Sequence, residues 1–277
     1  MSVSRFKTAL LTSVAAALAA CATPGDDRLS ATTETPAEAS ISAPALQTDS
    51  FREAFGKAYR SEHWYVSDYR LTTNVQDVTW DPQQVAFDKG ALSIRIIPRG
   101  TGNGAVSGEV QRLEAVGYGY HEALIKPARG AGLVTAFFAY TDERFGDPHE
   151  EISIQFAGRD TTKVVLGYVS NDVRADSATI DLGFDAAEGT HAYAFDRTVD
   201  EVKWYVDGEL VHTAPVNDLA TPTSRMRLIA NLWAAEPSQY AWTGAPDFEP
   251  GARAVFDCIA YRKTGDQTDL CTTTQSQ

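Results

Sequence analysis

The chain has 277 residues, 43% of them hydrophobic and 22% charged, with a formal net charge of -13. That apolar content can build a sizeable core. The acidic balance argues against nucleic acid and other anionic polymers as partners and suits a neutral or cationic ligand. With five histidines and three cysteines, no His/Cys metal spacing, phosphate loop or Ser-His-Asp set stands out.

Arg5 and Lys7 open a short basic stretch, followed from Ala9 to Ala20 by small, apolar residues. This run is shorter than the about 20 residues that a membrane-spanning helix needs. It ends in Leu18-Ala19-Ala20-Cys21, which resembles the cleavage box of bacterial lipoproteins. Residues 1–20 are then a signal peptide and Cys21 is the lipidated first residue of the mature chain. Ala22 rather than Asp follows, and by the same resemblance this favours the outer membrane of a Gram-negative cell envelope. Residues 21–48 are rich in Ala, Thr, Ser, Pro and Glu, cannot bury enough surface to offset their ordering entropy, and are expected to be a flexible tether.

From residue 49 to residue 263 the pattern is that of strands. ALSIRII (Ala91 to Ile97) alternates Leu92, Ile94 and Ile96. HEEISIQF (His149 to Phe156) sends Ile152, Ile154 and Phe156 to one face and Glu151, Ser153 and Gln155 to the other, with Glu150 opposite Glu151. VKWYV and ELVHT flank Asp207-Gly208, a hairpin turn signal, and Trp204 is expected to pack in the core or at an edge. RMRLIANLW (Arg225 to Trp233) and AVFDCIAY (Ala254 to Tyr261) supply two more long strands. Together these predict an all-β sandwich of two antiparallel sheets. The tail, residues 264–277, is polar. Cys258 and Cys271 are the cysteines left after lipidation of Cys21, and outside the cytoplasm they are expected to form a disulfide that pins this tail to the last strand.

The catalytic-looking strand resembles the E-I-D-I-E-F strand of family 16 glycoside hydrolases, most of all the bacterial lichenases (endo-1,3-1,4-β-glucanases). The resemblance extends to YGYHEALIKPARGAGLVTAFFAYT (Tyr118 to Thr141), GRDTTKV (Gly158 to Val164), DLGFDAAEGTHAYAFD (Asp181 to Asp196), VKWYVDGELVHTA (Val202 to Ala214) and NLW (Asn231 to Trp233), in that family's order and from about Phe51 to Lys263. It implies a β-jelly roll with a concave cleft. By position, Glu151 matches the nucleophile, Ser153 stands at the helper aspartate and Gln155 at the general acid/base. The resemblance also implies that Glu109, Phe138, Tyr140, Asn231 and Trp233 bind sugar. It further implies that Asp257 holds a structural Ca²⁺. No cofactor is implied for catalysis.

Retaining hydrolysis needs a second carboxyl group about 5–5.5 Å from the nucleophile to protonate the leaving oxygen. An amide cannot donate that proton, and general acid catalysis is worth about 10²–10⁴-fold. The other departures from the family pattern are Gln111 at an arginine (with Arg112 following), Gly167 at an asparagine, Val169 at a tyrosine and His149 at a tryptophan. The expectation is a lipid-anchored protein that binds a neutral, β-glucan-type polysaccharide with impaired hydrolysis. The alternatives are an endo-β-glucanase or transglycosylase working through Glu151, and a structural envelope lipoprotein that binds no sugar. Cys21→Ser is expected to move the protein from the membrane to the soluble fraction. A variant that stays with the membrane after a salt wash removes the lipoprotein expectation.

Overall fold

The structure, a computed structural model, describes residues 49–56, 61–100, 104–216 and 225–273. The signal segment, Cys21, the tether and residues 274–277 of the tail lie outside the described residues. The strands are β1 (Phe51–Glu53), β2 (Trp64–Val66), β3 (Tyr69–Thr72), β4 (Asp77–Trp80), β5 (Val85–Asp88), β6 (Ala91–Pro98), β7 (Ala105–Ser107), β8 (Glu109–Arg112) and β9 (Gly119–Lys126). They continue with β10 (Leu133–Thr141), β11 (Glu150–Ala157), β12 (Lys163–Ser170), β13 (Val173–Asp181), β14 (His191–Arg197), β15 (Glu201–Val206), β16 (Glu209–Pro215), β17 (Arg227–Ala234) and β18 (Ala252–Lys263). The only α-helical turn among the described residues is α1 (Tyr240–Thr243), too short to leave a period in the sequence.

Seven strands form one sheet in the order β13-β12-β11-β10-β17-β8-β2. Eleven form the other, running β16-β15-β14-β9-β18-β6-β7-β4-β3 with β1 added to β18 and β5 to β6. The central ladders are antiparallel, and β4 pairs with β7 in parallel. This is the all-β sandwich of two antiparallel sheets that the alternation predicts, in the jelly-roll form that the resemblance implies.

The core lies between the sheets. Ile152, Ile154 and Phe156 of β11, Phe137 of β10 and Leu228, Ala230 and Leu232 of β17 meet Phe195, Tyr193 and Trp204 from the other layer. Phe156 and Tyr193 meet edge to face at 4.8 Å, and Phe137 lies 5.8 Å from Phe195. Leu92, Ile94 and Ile96 are fully buried, as their alternation requires. At the β15–β16 hairpin Asp207 and Gly208 both have positive φ (49° and 82°), as a two-residue type I′ turn needs.

The disulfide forms between Cys258 and Cys271, 5.8 Å apart at Cα. Leu270 packs beside it against Tyr120 and Leu124, and Thr272 donates from its N–H and its hydroxyl to Glu122. The tail is thereby laid on the outer face of the eleven-stranded sheet. Closing this 13-residue separation contributes about 3 kcal/mol in the chain-entropy account. A register shift between Phe256 and Cys258 leaves Asp257 as the extra residue of a bulge, outside the β18–β9 ladder.

Two polar groups cross the core. Glu150 pairs with Arg197 at 2.8 Å, both buried, and so it does face away from Glu151. His121 stacks on Phe195 at 4.5 Å and lies 4.8 Å from Tyr261. Burial, helped by the Arg197 charge, lowers its pKa from 6.5 to about 3. The folded protein therefore binds fewer protons than the unfolded chain between these values, and stability present above pH 6.5 is lost as the pH falls toward 3. His121→Leu is expected to lose less melting temperature than the wild type between pH 6.5 and 4. Parallel melting curves across that range would show that His121 is not the group responsible.

Candidate active site

The outer face of the seven-stranded sheet is built by the same alternation that fills the core. In register, Gln155 lies beside Ala136, Ala136 beside Asn231, and Asn231 beside Glu109. Ser153 lies beside Phe138, then Ile229 and Gln111. Glu151 lies beside Tyr140, then Arg227. All eight expected cleft positions therefore share one face.

The three matched catalytic positions form a contiguous row. Gln155 Nε2 is 3.4 Å from Glu151 Oε1 and 3.3 Å from Ser153 Oγ, at the long end of hydrogen bonding. Exposure is only 5%, 1% and 4% at Glu151, Ser153 and Gln155, so the row is a floor rather than a surface. From the core side, the Trp204 indole N–H donates to the Ser153 carbonyl at 3.3 Å. Trp204 thus belongs to the core and also supports β11 from behind. On β12, Val165, Gly167 and Val169 stand opposite Gln155, Ser153 and Glu151. The departures at Gly167 and Val169 therefore fall directly beside the row and leave its β12 side apolar.

Glu109 is held as an acceptor. Its Oε1 accepts from Ser67 Oγ (2.7 Å), Tyr69 OH (3.1 Å) and Gln111 Nε2 (2.8 Å), and its Oε2 accepts from Asn231 Nδ2 (2.9 Å). Burial and then the Glu109 charge push the Tyr69 phenol well above its usual pKa, so it remains a donor. Glu109 stands three strands from Gln155, roughly 14 Å at about 4.8 Å per strand. Glu151 lies four residues further along β11, so Glu109 is farther from it than the about 5–5.5 Å at which a retaining carboxyl pair works. The Asn231 Oδ1 is buried without a hydrogen-bond partner and remains an acceptor in the floor.

The aromatic positions differ among themselves. Phe138 and Tyr140 are half-buried with their rings 6.3 Å apart at 88°, so one sugar face cannot lie flat on both. Trp233 is only 4% exposed, packed with Val134 and Trp80 and met at 6.5 Å by Trp242. The open aromatic surface in that corner belongs instead to Tyr240 and Trp242. His149 lies 5.1 Å from Tyr140, and burial lowers its pKa.

Sequence reasoning missed Ser67 and Tyr69, which reach Glu109 from a distant part of the chain. It also missed Arg227, although the period that places Asn231 and Trp233 places Arg227 on the same face. Glu109→Gln would put a donor where the carboxylate now accepts four bonds, leaving a buried donor unsatisfied at a cost of about 1–3 kcal/mol. Urea unfolding is expected to show that loss. An unchanged midpoint would mean the four contacts contribute no net stability.

The residues match known proteins over most of the domain. The sequence pattern of glycosyl hydrolases family 16 fits residues 72–249. The beta-glucanase of Bacillus subtilis (strain 168) is 35% identical over 221 residues, 80% of this chain and 89% of the relative. That of Bacillus licheniformis is 37% identical over 192 residues, 69% and 77% respectively. Among solved structures, the Bacillus licheniformis beta-glucanase superposes with a TM-score of 0.72 at 34% identity, covering 78% of this chain and 99% of that one. A prokaryotic beta-1,3-1,4-glucanase (lichenase) derived from a mouse hindgut metagenome gives 0.71 at 31% identity, covering 78% and 99%. With this sandwich, this row of residues and these relatives, the chain belongs to family 16 of the glycosyl hydrolases.

Proposed function

We propose that this protein binds a β-glucan-type polysaccharide across the seven-stranded sheet and hydrolyses it poorly or not at all. One observation carries the reading: the group beside Glu151 in the row is the Gln155 amide, not a carboxyl. Glu151 can act as a nucleophile, but no proton reaches the leaving sugar oxygen from Gln155. Ser153, in place of an aspartate, adds no charge to tune its neighbours. Asn231, the half-exposed Phe138 and Tyr140, and the Tyr240–Trp242 corner remain as sugar contacts, since flat rings and free acceptors suit an amphipathic sugar.

A second reading, an endo-β-glucanase or transglycosylase working through Glu151, draws support from the relatives, which are named beta-glucanases. Either way the proposal keeps the protein in the cell envelope, anchored through Cys21, most simply at the outer membrane. It also keeps a structural Ca²⁺ at Asp257, which the bulge leaves outside the ladder. Among the described residues no group of three or more His, Cys, Asp or Glu side chains converges. The other ligands there would be backbone carbonyls and water, which this hard cation accepts.

Reducing-end release separates the two readings. The wild type is expected to release no detectable ends from mixed-linkage glucan. It should slowly turn over an aryl or fluoride glycoside, whose leaving group departs as an anion without a proton. Ser153→Asp with Gln155→Glu is expected to raise glucan hydrolysis by restoring the helper and the proton donor. Brisk wild-type hydrolysis that survives Glu151→Ala would refute both readings of the row.

A further inference from the structure

The outer face of the eleven-stranded sheet, behind the cleft, carries an aromatic cluster of its own. In register, Lys203 of β15 lies beside Asp196 of β14, Asp196 beside Tyr120 of β9, and Tyr120 beside Arg262 of β18. In the next row Leu210 of β16 lies beside Tyr205, Tyr205 beside Ala194, and Ala194 beside Glu122. The alternate positions of these strands, among them Trp204, Phe195 and Tyr261, fill the core, so both rows face away from it. Ala194 carries only a methyl group, and over it the Tyr120 and Tyr205 rings approach to 5.3 Å with their planes 50° apart. The pair forms an open V. Both residues are half-buried, and Leu210, 54% exposed, extends the same apolar surface.

Polar groups surround the V. Asp196 offers an acceptor on one side of Tyr120, and Arg262 offers donors on the other, its guanidinium carbon 5.8 Å from the Tyr120 ring. Lys203 pairs with Glu201, whereas among the described residues Asp196 and Arg262 form no side-chain hydrogen bond or ion pair. Burial and then the Glu122 charge push the Tyr120 phenol above its usual pKa, and burial and then the Asp196 charge do the same to Tyr205. Both phenols therefore stay O–H donors. The tail walls one flank: the Cys258–Cys271 bridge and the two bonds from Thr272 to Glu122 hold Leu270 against Tyr120.

We infer that this face holds a second glycan-binding site, for a neutral β-linked polysaccharide, centred on Tyr120 and Tyr205. A β-linked sugar presents an apolar ring face and a rim of hydroxyls, each both donor and acceptor. The tyrosine rings match the face. The Asp196 carboxylate and the Arg262 guanidinium match the rim, one accepting and the other donating. Their opposite charges on either side of Tyr120 complement an uncharged polymer, although the whole chain carries -13. The site does not depend on the cleft reading, because the two lie on opposite faces of the sandwich. A short oligosaccharide cannot span both. A long polymer can be held at two points, which raises its apparent affinity without a new contact at either.

Affinity electrophoresis of the full chain, in mild detergent and through gels containing mixed-linkage glucan, tests this. Phe138→Ala with Tyr140→Ala strips the cleft of its rings and is expected to leave measurable retardation. Tyr120→Ala with Tyr205→Ala is expected to weaken binding about threefold or more on either background, and the four changes together to remove it. Tyr120 also packs against Leu270. Should its loss unfold the protein, Tyr205→Ala with Arg262→Gln, which keep Tyr120 under the tail, should still weaken binding of the cleft variant about threefold. An outer-face variant that migrates as its parent does, on both backgrounds, overturns the second site and leaves cleft binding standing. Complete loss of retardation from the outer-face change alone, with the cleft variant unaffected, supports the second site and removes the cleft reading. A wild type that is not retarded overturns both.

Discussion

Strand β11 is packed on both faces, and the site depends on that. Ile152, Ile154 and Phe156 are buried in the core, while Glu151, Ser153 and Gln155 are nearly as buried in the cleft floor. A slip of one residue would exchange the two sets. It would also carry Glu150 away from Arg197 and the Ser153 carbonyl away from the Trp204 indole. Removing one partner of a buried ion pair costs about 3–5 kcal/mol. The core thus holds the register of the strand that carries Glu151, Ser153 and Gln155 on its other face.

Strand positions are legible in this sequence because a strand has a period of two and its faces differ in polarity. Glu151 and Glu150 are adjacent letters, yet their opposite fates follow from that period alone. Asn231 and Glu109 are assigned to the cleft by the family resemblance, and the strand registers bring them side by side on that face. Less legible is what depends on approach between distant segments. Ser67 and Tyr69 come to Glu109 from 42 and 40 residues away. Trp233 has the right face for a sugar platform but is covered by Trp242, carried on a helical turn too short to read. The bulge that displaces Asp257 is equally invisible to alternation, since it breaks it.

Local and global electrostatics diverge in this molecule. The chain is acidic overall, but the cleft divides its charges by row. Carboxylate and amide lie over β11 and β8, and guanidinium lies over β17 and the turn after β10. A net charge summed over a sequence describes long-range steering. Hydrogen-bond geometry over a few ångströms decides what any ligand meets at that face.

The two ends of the domain close on one another. Phe51 of β1 pairs with Tyr261 of β18, the Lys263 N–H donates to Ser50 Oγ at 3.0 Å, and the Ser50 hydroxyl reaches Asp266. Both belong to the eleven-stranded sheet, away from the face that carries Glu151. The chain from residue 49 to residue 266 is therefore nearly a circle in space. A short peptide joining residue 49 to residue 266 could close it, and the exposed Asp207-Gly208 turn could be opened to provide new termini without disturbing the cleft. Cargo joined at residue 49 or at residue 266 would ride behind the sandwich, leaving the face that carries Glu151 clear.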